Sequence, residues 1–139
     1  MEKLFAYALL MCEGFDVWDP YSEELDRLFL DDPQNDAYLY LETVTDRKKA
    51  VFYIISAIND ISFDSGVFGP ALMNLISDVY KTSNLEDFAK HMYSLWSNLP
   101  KEIKYSEPFY TLSYSDDCIL YNDEKYCHKL FESAIYYFD

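Results

Sequence analysis

Apolar residues recur at steps of three and four along most of this chain, and that spacing constrains its fold more than any other feature. The clearest series follows Ser83-Asn84-Leu85-Glu86, which fits a capping box with Ser83 as the N-cap residue. A helix of about four turns then carries the apolar side chains on one face, and Pro100 is expected to end it. The apolar series is Leu85, Phe88, Ala89, Met92, Leu95, Trp96 and Leu99.

Prolines and acids mark the predicted starts of five other helices. An acid or a glycine before proline is typical of a helix start, because proline fits the first helical position. The helix after Asp46 is expected to be central and mostly buried, since Phe52 and Tyr53 widen its apolar stripe, which ends at Ile61. Residues 3–12 form a helix or a strand, and their alanine and leucine content favours a helix. The five predicted starts are Asp19-Pro20, Asp32-Pro33, Thr45-Asp46, Gly69-Pro70 and Asn122-Asp123-Glu124.

One segment departs from the helical spacing, because Tyr110, Leu112 and Tyr114 alternate with polar residues. This alternation predicts one short β-hairpin near 109–121, with a loop packed by aromatic rings as the alternative. The whole chain has only three glycines and five prolines, which argues against a β-sandwich. We therefore predict an all-α or mainly α fold over residues 1–139, a single compact helical domain of about six helices.

Negative charge is concentrated in an acidic N-terminal segment, residues 1–46. This segment holds twelve acids against two bases, whereas the other 93 residues hold thirteen acids against nine bases. A field of this sign disfavours nucleic acid and anionic membrane as direct partners. It favours a basic protein partner, because opposite potentials speed encounter and fix orientation.

The three cysteines, Cys12, Cys118 and Cys127, form no CxxC pair and are interpreted as reduced thiols of a cytoplasmic protein. Cys118, Cys127 and His128 are candidate zinc ligands, but their spacing is not that of a zinc finger. The first residues lack the cleavage site of a signal peptide, and no run approaches the ~20 apolar residues of a membrane span.

No catalytic signature is present, so the chain is predicted not to be an enzyme and to need no cofactor or metal. Two histidines each follow a carboxylate by four residues, in the pairs Asp87–His91 and Glu124–His128. Each pair shares one helix face, which is typical of a surface ion pair. A carboxylate-histidine metalloenzyme is the alternative that these pairs leave open.

Acids interleaved with aromatic residues are the remaining functional signal of the sequence. Carboxylates pair with lysine and arginine of a partner, and tryptophan or tyrosine supplies apolar contact. The alternative is a solvated acidic face that only keeps the protein soluble. The predicted partner-binding residues are Asp16, Trp18, Asp19, Tyr21, Glu23, Glu24, Asp26, Asp31, Asp32 and Asp36.

The segment Leu25-Asp26-Arg27-Leu28-Phe29-Leu30-Asp31-Asp32-Pro33, followed by Asp46-Arg47-Lys48-Lys49-Ala50-Val51, resembles small acidic bacterial toxin-immunity proteins of the contact-dependent inhibition type. The resemblance implies a protein that neutralises a cognate toxin, often a nuclease, by occupying or flanking its basic cleft. Immunity families differ in fold, so the resemblance assigns no role to any single residue. A non-catalytic helical adaptor is the alternative function.

Overall fold

The computed structural model describes residues 1–60 and 63–139, and all regular structure in these two stretches is helical. The chain divides into two compact units, Met1–Phe68 and Gly69–Asp139. Within the described residues, no helix combines the length and the apolar character that crossing a membrane requires.

The first unit is built around an apolar N-terminal helix. This helix, α1, packs against both α2 and α4, and α2 packs in turn against α3. Leu4, Phe5 and Leu9 of α1 are almost completely buried, which makes α1 the centre of this core. The bounds are α1 Glu2–Cys12, α2 Trp18–Asp31, α3 Asp36–Thr43, α4 Arg47–Ala57 and a 3₁₀ turn Ile58–Asp60.

The second unit packs aromatic side chains between its longer helices. Phe88 and Phe131 meet edge to face with ring centroids 4.8 Å apart, and Tyr80 lies 5.1 Å and 6.1 Å from their centroids. Perpendicular rings at this distance are a favourable arrangement in a core. The bounds are α5 Ser65–Thr82, which begins within the first unit, then α6 Leu85–Ser97, α7 Lys101–Lys104, α8 Phe109–Leu112, α9 Ser115–Tyr121 and α10 Glu124–Ile135.

Several sequence predictions of helices are confirmed. In the predicted stripe of α6, Phe88, Ala89, Met92 and Leu95 are buried, whereas Leu85 and Trp96 are half-buried. Residues 2–12 form a helix rather than a strand. The side chain of Asp46 accepts hydrogen bonds from the backbone N–H groups of Lys48 and Lys49, and so caps α4. Asp123 caps α10 in the same way through the N–H of Tyr126.

Other predicted starts are wrong by a few residues. Asn84, not Ser83, caps α6, because its side-chain oxygen accepts from two backbone N–H groups of the first turn. Asp32 ends α2 instead of beginning α3, and Asn35 caps α3. Helix α2 begins before Asp19-Pro20. Helix α5 begins before Gly69-Pro70, because the Asp64 carboxylate already accepts from the N–H of Gly66 at 2.9 Å.

The β-hairpin prediction is wrong, since residues 109–121 form α8 and α9 and the described residues contain no strand. Phe109 and Leu112 are both buried, and that spacing of three closes a helical turn. The hydroxyls of Ser113 and Ser115 donate to carbonyl oxygens of this turn, which stabilises it locally. Short helices of this kind make the helices more numerous than the six predicted.

Helix α4 is also less buried than its composition predicted. Only Ala50 and Ile54 of α4 are buried, and Phe52 is 75% exposed. One side of α4 packs against α1, and Phe52 faces away from it. Tyr53 is half-buried and packs against Tyr40, with ring centroids 4.4 Å apart. Ile61, the last residue of that stripe, lies outside the described residues.

Candidate protein-binding surface

Helix α2 separates apolar and acidic residues onto two sides. Tyr21 and Leu25 are buried, whereas Asp19, Glu23 and Asp26, at steps of four and three, are exposed on another side. Further exposed carboxylates follow at the end of α2, in the turn and on α3. We call this set the acidic surface: Asp19, Glu23, Asp26, Asp31, Asp32, Asp36 and Glu42.

Two carboxyl groups of the acidic surface lie against each other. Glu42 of α3 is hydrogen-bonded to Asp26 of α2, and its pKa is raised to about 6, first by desolvation and then by the Asp26 carboxyl. Glu42 was missed as a site residue, because only the packing of α2 on α3 brings it to Asp26. Because neither carboxyl group is paired with a cation among the residues that the structure describes, the Asp26–Glu42 pair can accept charge-assisted hydrogen bonds from a lysine or arginine of a partner.

Cations of the chain neutralise another part of the predicted site. Arg27 pairs with Glu24 at 2.5 Å and with Asp31 at 3.3 Å, and Lys3 lies 3.8 Å from Glu24. The Glu24 side chain is only 16% exposed, and Arg27 is the first cause of its lowered pKa. Glu24 is therefore engaged within the first unit, and the exposed Asp31 shares the same arginine.

Asp16 and Trp18 hold an arginine of their own chain. Arg47 donates to Asp16 at 3.0 Å, and its guanidinium carbon lies 5.6 Å from the centroid of the Trp18 ring. The guanidinium thus contacts an aromatic face and a carboxylate together, which is a favourable setting for arginine. Trp18 is half-buried in this arrangement.

Tyr21 does not lie on the surface. Its side chain is 1% exposed and packs against Trp18 and Tyr7, with ring centroids 5.0 Å and 6.4 Å away. Its hydroxyl makes no hydrogen bond within the described residues, and burial together with Glu42 raises its pKa to about 12. We therefore leave Tyr21 out of the acidic surface.

An apolar groove lies beside α4 in the same unit. It has a volume of about 500 Å³ and is lined by Phe15, Val51, Phe52 and Ile55, among others. Arg47 and Lys48 also line it. The sequence did not predict this groove, because the apolar stripe of α4 placed Phe52 in the interior, whereas Phe52 is exposed.

The cysteines and histidines of the second unit are engaged with other groups. The thiol of Cys118 is hydrogen-bonded to Cys127, and burial is the first cause that raises the pKa of Cys118 to about 12. Nδ1 of His128 is hydrogen-bonded to the hydroxyl of Tyr80. Across residues 1–60 and 63–139, no three histidine, cysteine or acidic side chains are grouped as metal ligands.

Comparisons with known proteins supply no further guide to this surface. The chain matches no protein-family model, no curated protein and no solved structure. Chemically, the exposed carboxylates of α2 and α3 are acceptors that form charge-assisted hydrogen bonds with lysine and arginine.

Proposed function

We propose that this protein binds a basic protein partner in the cytoplasm and neutralises it without catalysis, as an immunity protein does against a bacterial toxin such as a nuclease. One observation carries the proposal. Within the described residues, Arg27 is the only cation that forms an ion pair with the acidic surface, and it reaches only Asp31. The remaining carboxylates are exposed and available to a partner's cations.

The chemistry of nuclease clefts fits this surface. A cleft that binds phosphates is lined by lysine and arginine, and its positive potential attracts an anionic surface. Carboxylates at steps of four and three on α2 project from one helix side, as a row of acceptors. Such an inhibitor competes with nucleic acid for the same cations.

The test removes charge from the acidic surface. The variant Asp19→Asn/Glu23→Gln/Asp26→Asn is compared with Asp78→Asn/Glu102→Gln/Glu132→Gln, in which three exposed acids of other helices lose the same charge. The partner for the test is a basic protein, sought first among the products of the genes beside this one, and both its binding and the inhibition of its activity are measured. We expect the first variant to bind at least about tenfold more weakly than the control. An equal loss of binding affinity in both variants would refute a localised acidic site.

A second candidate function, a non-catalytic helical adaptor, is favoured by the exposed Phe52 and its groove. Exposed apolar side chains beside a groove are common at protein interfaces. The variant Phe52→Ser separates the two functions. If it abolishes binding while the triple acid variant binds normally, the adaptor function replaces the inhibitor.

A further inference from the structure

Five aromatic rings form a continuous row in the second unit. Successive ring centroids are 5.8, 6.0, 5.9 and 5.4 Å apart. The rings come from α6, from the residue after α7, from α8 and from the residue before α9. Residues distant in sequence therefore meet in one row. We call it the aromatic ribbon: Tyr93, Trp96, Tyr105, Tyr110 and Tyr114.

Much of the aromatic ribbon is open to solvent. Tyr105 is 69% exposed, Tyr114 is 44% exposed and Tyr93 is 38% exposed. Trp96 and Tyr110 are half-buried and join these rings to the interior. Rigid aromatic side chains that remain accessible are enriched where proteins bind partners, because they bury a large area at a small entropic cost.

The two ends of the ribbon differ in charge. At the Tyr114 end, the hydroxyl of Tyr110 is the first cause that raises the pKa of Tyr114, and the carboxylates of Glu107 and Asp117 also contribute. Glu107 is exposed, so the edge of the ribbon offers a carboxylate to a ligand. This end is suited to a cationic group.

At the other end the chain already places a cation on the ribbon. Nζ of Lys104 lies 4.7 Å from the centroid of the Trp96 ring and donates to the carbonyl of Ser97 at 3.0 Å. The indole of Trp96 donates to the carbonyl of Lys104 at 2.8 Å, which fixes the ring. One ring of the ribbon, that of Trp96, therefore already holds a cation against its face.

We propose that the aromatic ribbon is a docking surface for arginine side chains of a protein partner. The planar guanidinium stacks on tyrosine faces and pairs with a carboxylate at the same time, whereas an ammonium is a compact, strongly hydrated charge. Arg47 between Trp18 and Asp16 shows the same combination inside the first unit. The chain's net charge of −14 favours a cationic ligand over nucleic acid. This inference stands on the ribbon and does not depend on the acidic surface.

The experiment follows the indole N–H signals of the ¹⁵N-labelled protein by NMR. The chain has two tryptophans, and Trp96→Phe assigns the two signals by removing one. The probes are the capped peptides Gly-Arg-Gly-Arg-Gly, Gly-Lys-Gly-Lys-Gly and Gly-Pro-Pro-Pro-Gly. We expect the arginine peptide to shift the Trp96 signal saturably, with an affinity about fivefold higher than that of the lysine peptide.

Matched variants locate the binding. Tyr105→Ser/Tyr114→Ser removes two exposed rings of the ribbon, and Tyr121→Ser/Tyr136→Ser removes two exposed rings outside it. The first variant should lose the preference for arginine and the second should keep it. Equal binding of arginine and lysine peptides, tighter binding of the proline peptide, or an unmoved Trp96 signal each overturns the proposal. A shift confined to Trp18 also overturns it, while leaving the acidic surface as a cation-binding site.

Discussion

At the scale of single residues, the contact between Asp26 and Glu42 makes the protein sensitive to pH. The pKa of Glu42 is raised from 4.5 to about 6, first by desolvation and then by Asp26. Between these two pH values the folded state binds more protons than the unfolded state, so stability falls as pH rises. The sequence shows both acids, but it does not show that residues sixteen positions apart come into contact.

Glu42→Gln should therefore stabilise the protein at high pH only. The amide keeps the size of the side chain and removes the charge that faces Asp26. We expect the melting temperature of the variant to exceed that of the parent protein at pH 7.5, and the difference to vanish at pH 4, where Glu42 is protonated. Circular dichroism melts at both pH values measure this. Glu23→Gln, the same change at an exposed position of α2, is the control. A difference in melting temperature that is the same at both pH values would contradict the raised pKa of Glu42 beside Asp26.

At the scale of elements, the sequence predicted where helices lie better than where they begin. The stripe of α6 sufficed because burial of Phe88, Met92 and Leu95 at helical spacing determines that helix. The cap was misplaced because Ser83 and Asn84 are both good capping residues, and only the backbone geometry selects one. The segment 109–121 was misread because alternation over a few residues is compatible with short helical turns as well as with a strand.

Asn84→Ala tests the helix start of α6. Its side chain accepts from the N–H groups of Glu86 at 3.0 Å and of Asp87 at 3.3 Å. Loss of this cap should lower the free energy of unfolding by about 1 kcal/mol. The neighbouring Ser83→Ala should cost less than about 0.5 kcal/mol, since Ser83 does not cap the helix. Urea unfolding of both variants measures the two free energies. A larger loss of stability in Ser83→Ala than in Asn84→Ala would support Ser83 as the capping residue.

At the scale of the whole molecule, charge is uneven in a way that the sequence alone reveals. Residues 1–68 carry fourteen acids against five bases, and residues 69–139 carry eleven acids against six. The number of acids does not show which of them are available to a partner. Glu24 and Asp31 engage Arg27, and Asp16 engages Arg47, because helix geometry and the packing of α1, α2 and α4 bring those cations near. The aromatic ribbon was equally hidden, since its members come from separate helices.

If the uneven charge steers a basic partner, salt should act on the rate of association. At 0.15 M salt the screening length is about 8 Å, and it shortens further as salt is added. Long-range attraction therefore weakens, while contacts already formed are affected less. We expect the association rate constant to fall by at least about tenfold between 50 and 500 mM NaCl, with a dissociation rate constant that changes less. Stopped-flow mixing with the same basic partner measures both rate constants. The triple variant of Asp19, Glu23 and Asp26 should show a shallower salt dependence than its matched control. An identical slope in the two variants would mean that the net charge of the molecule, rather than the acidic surface, attracts the partner.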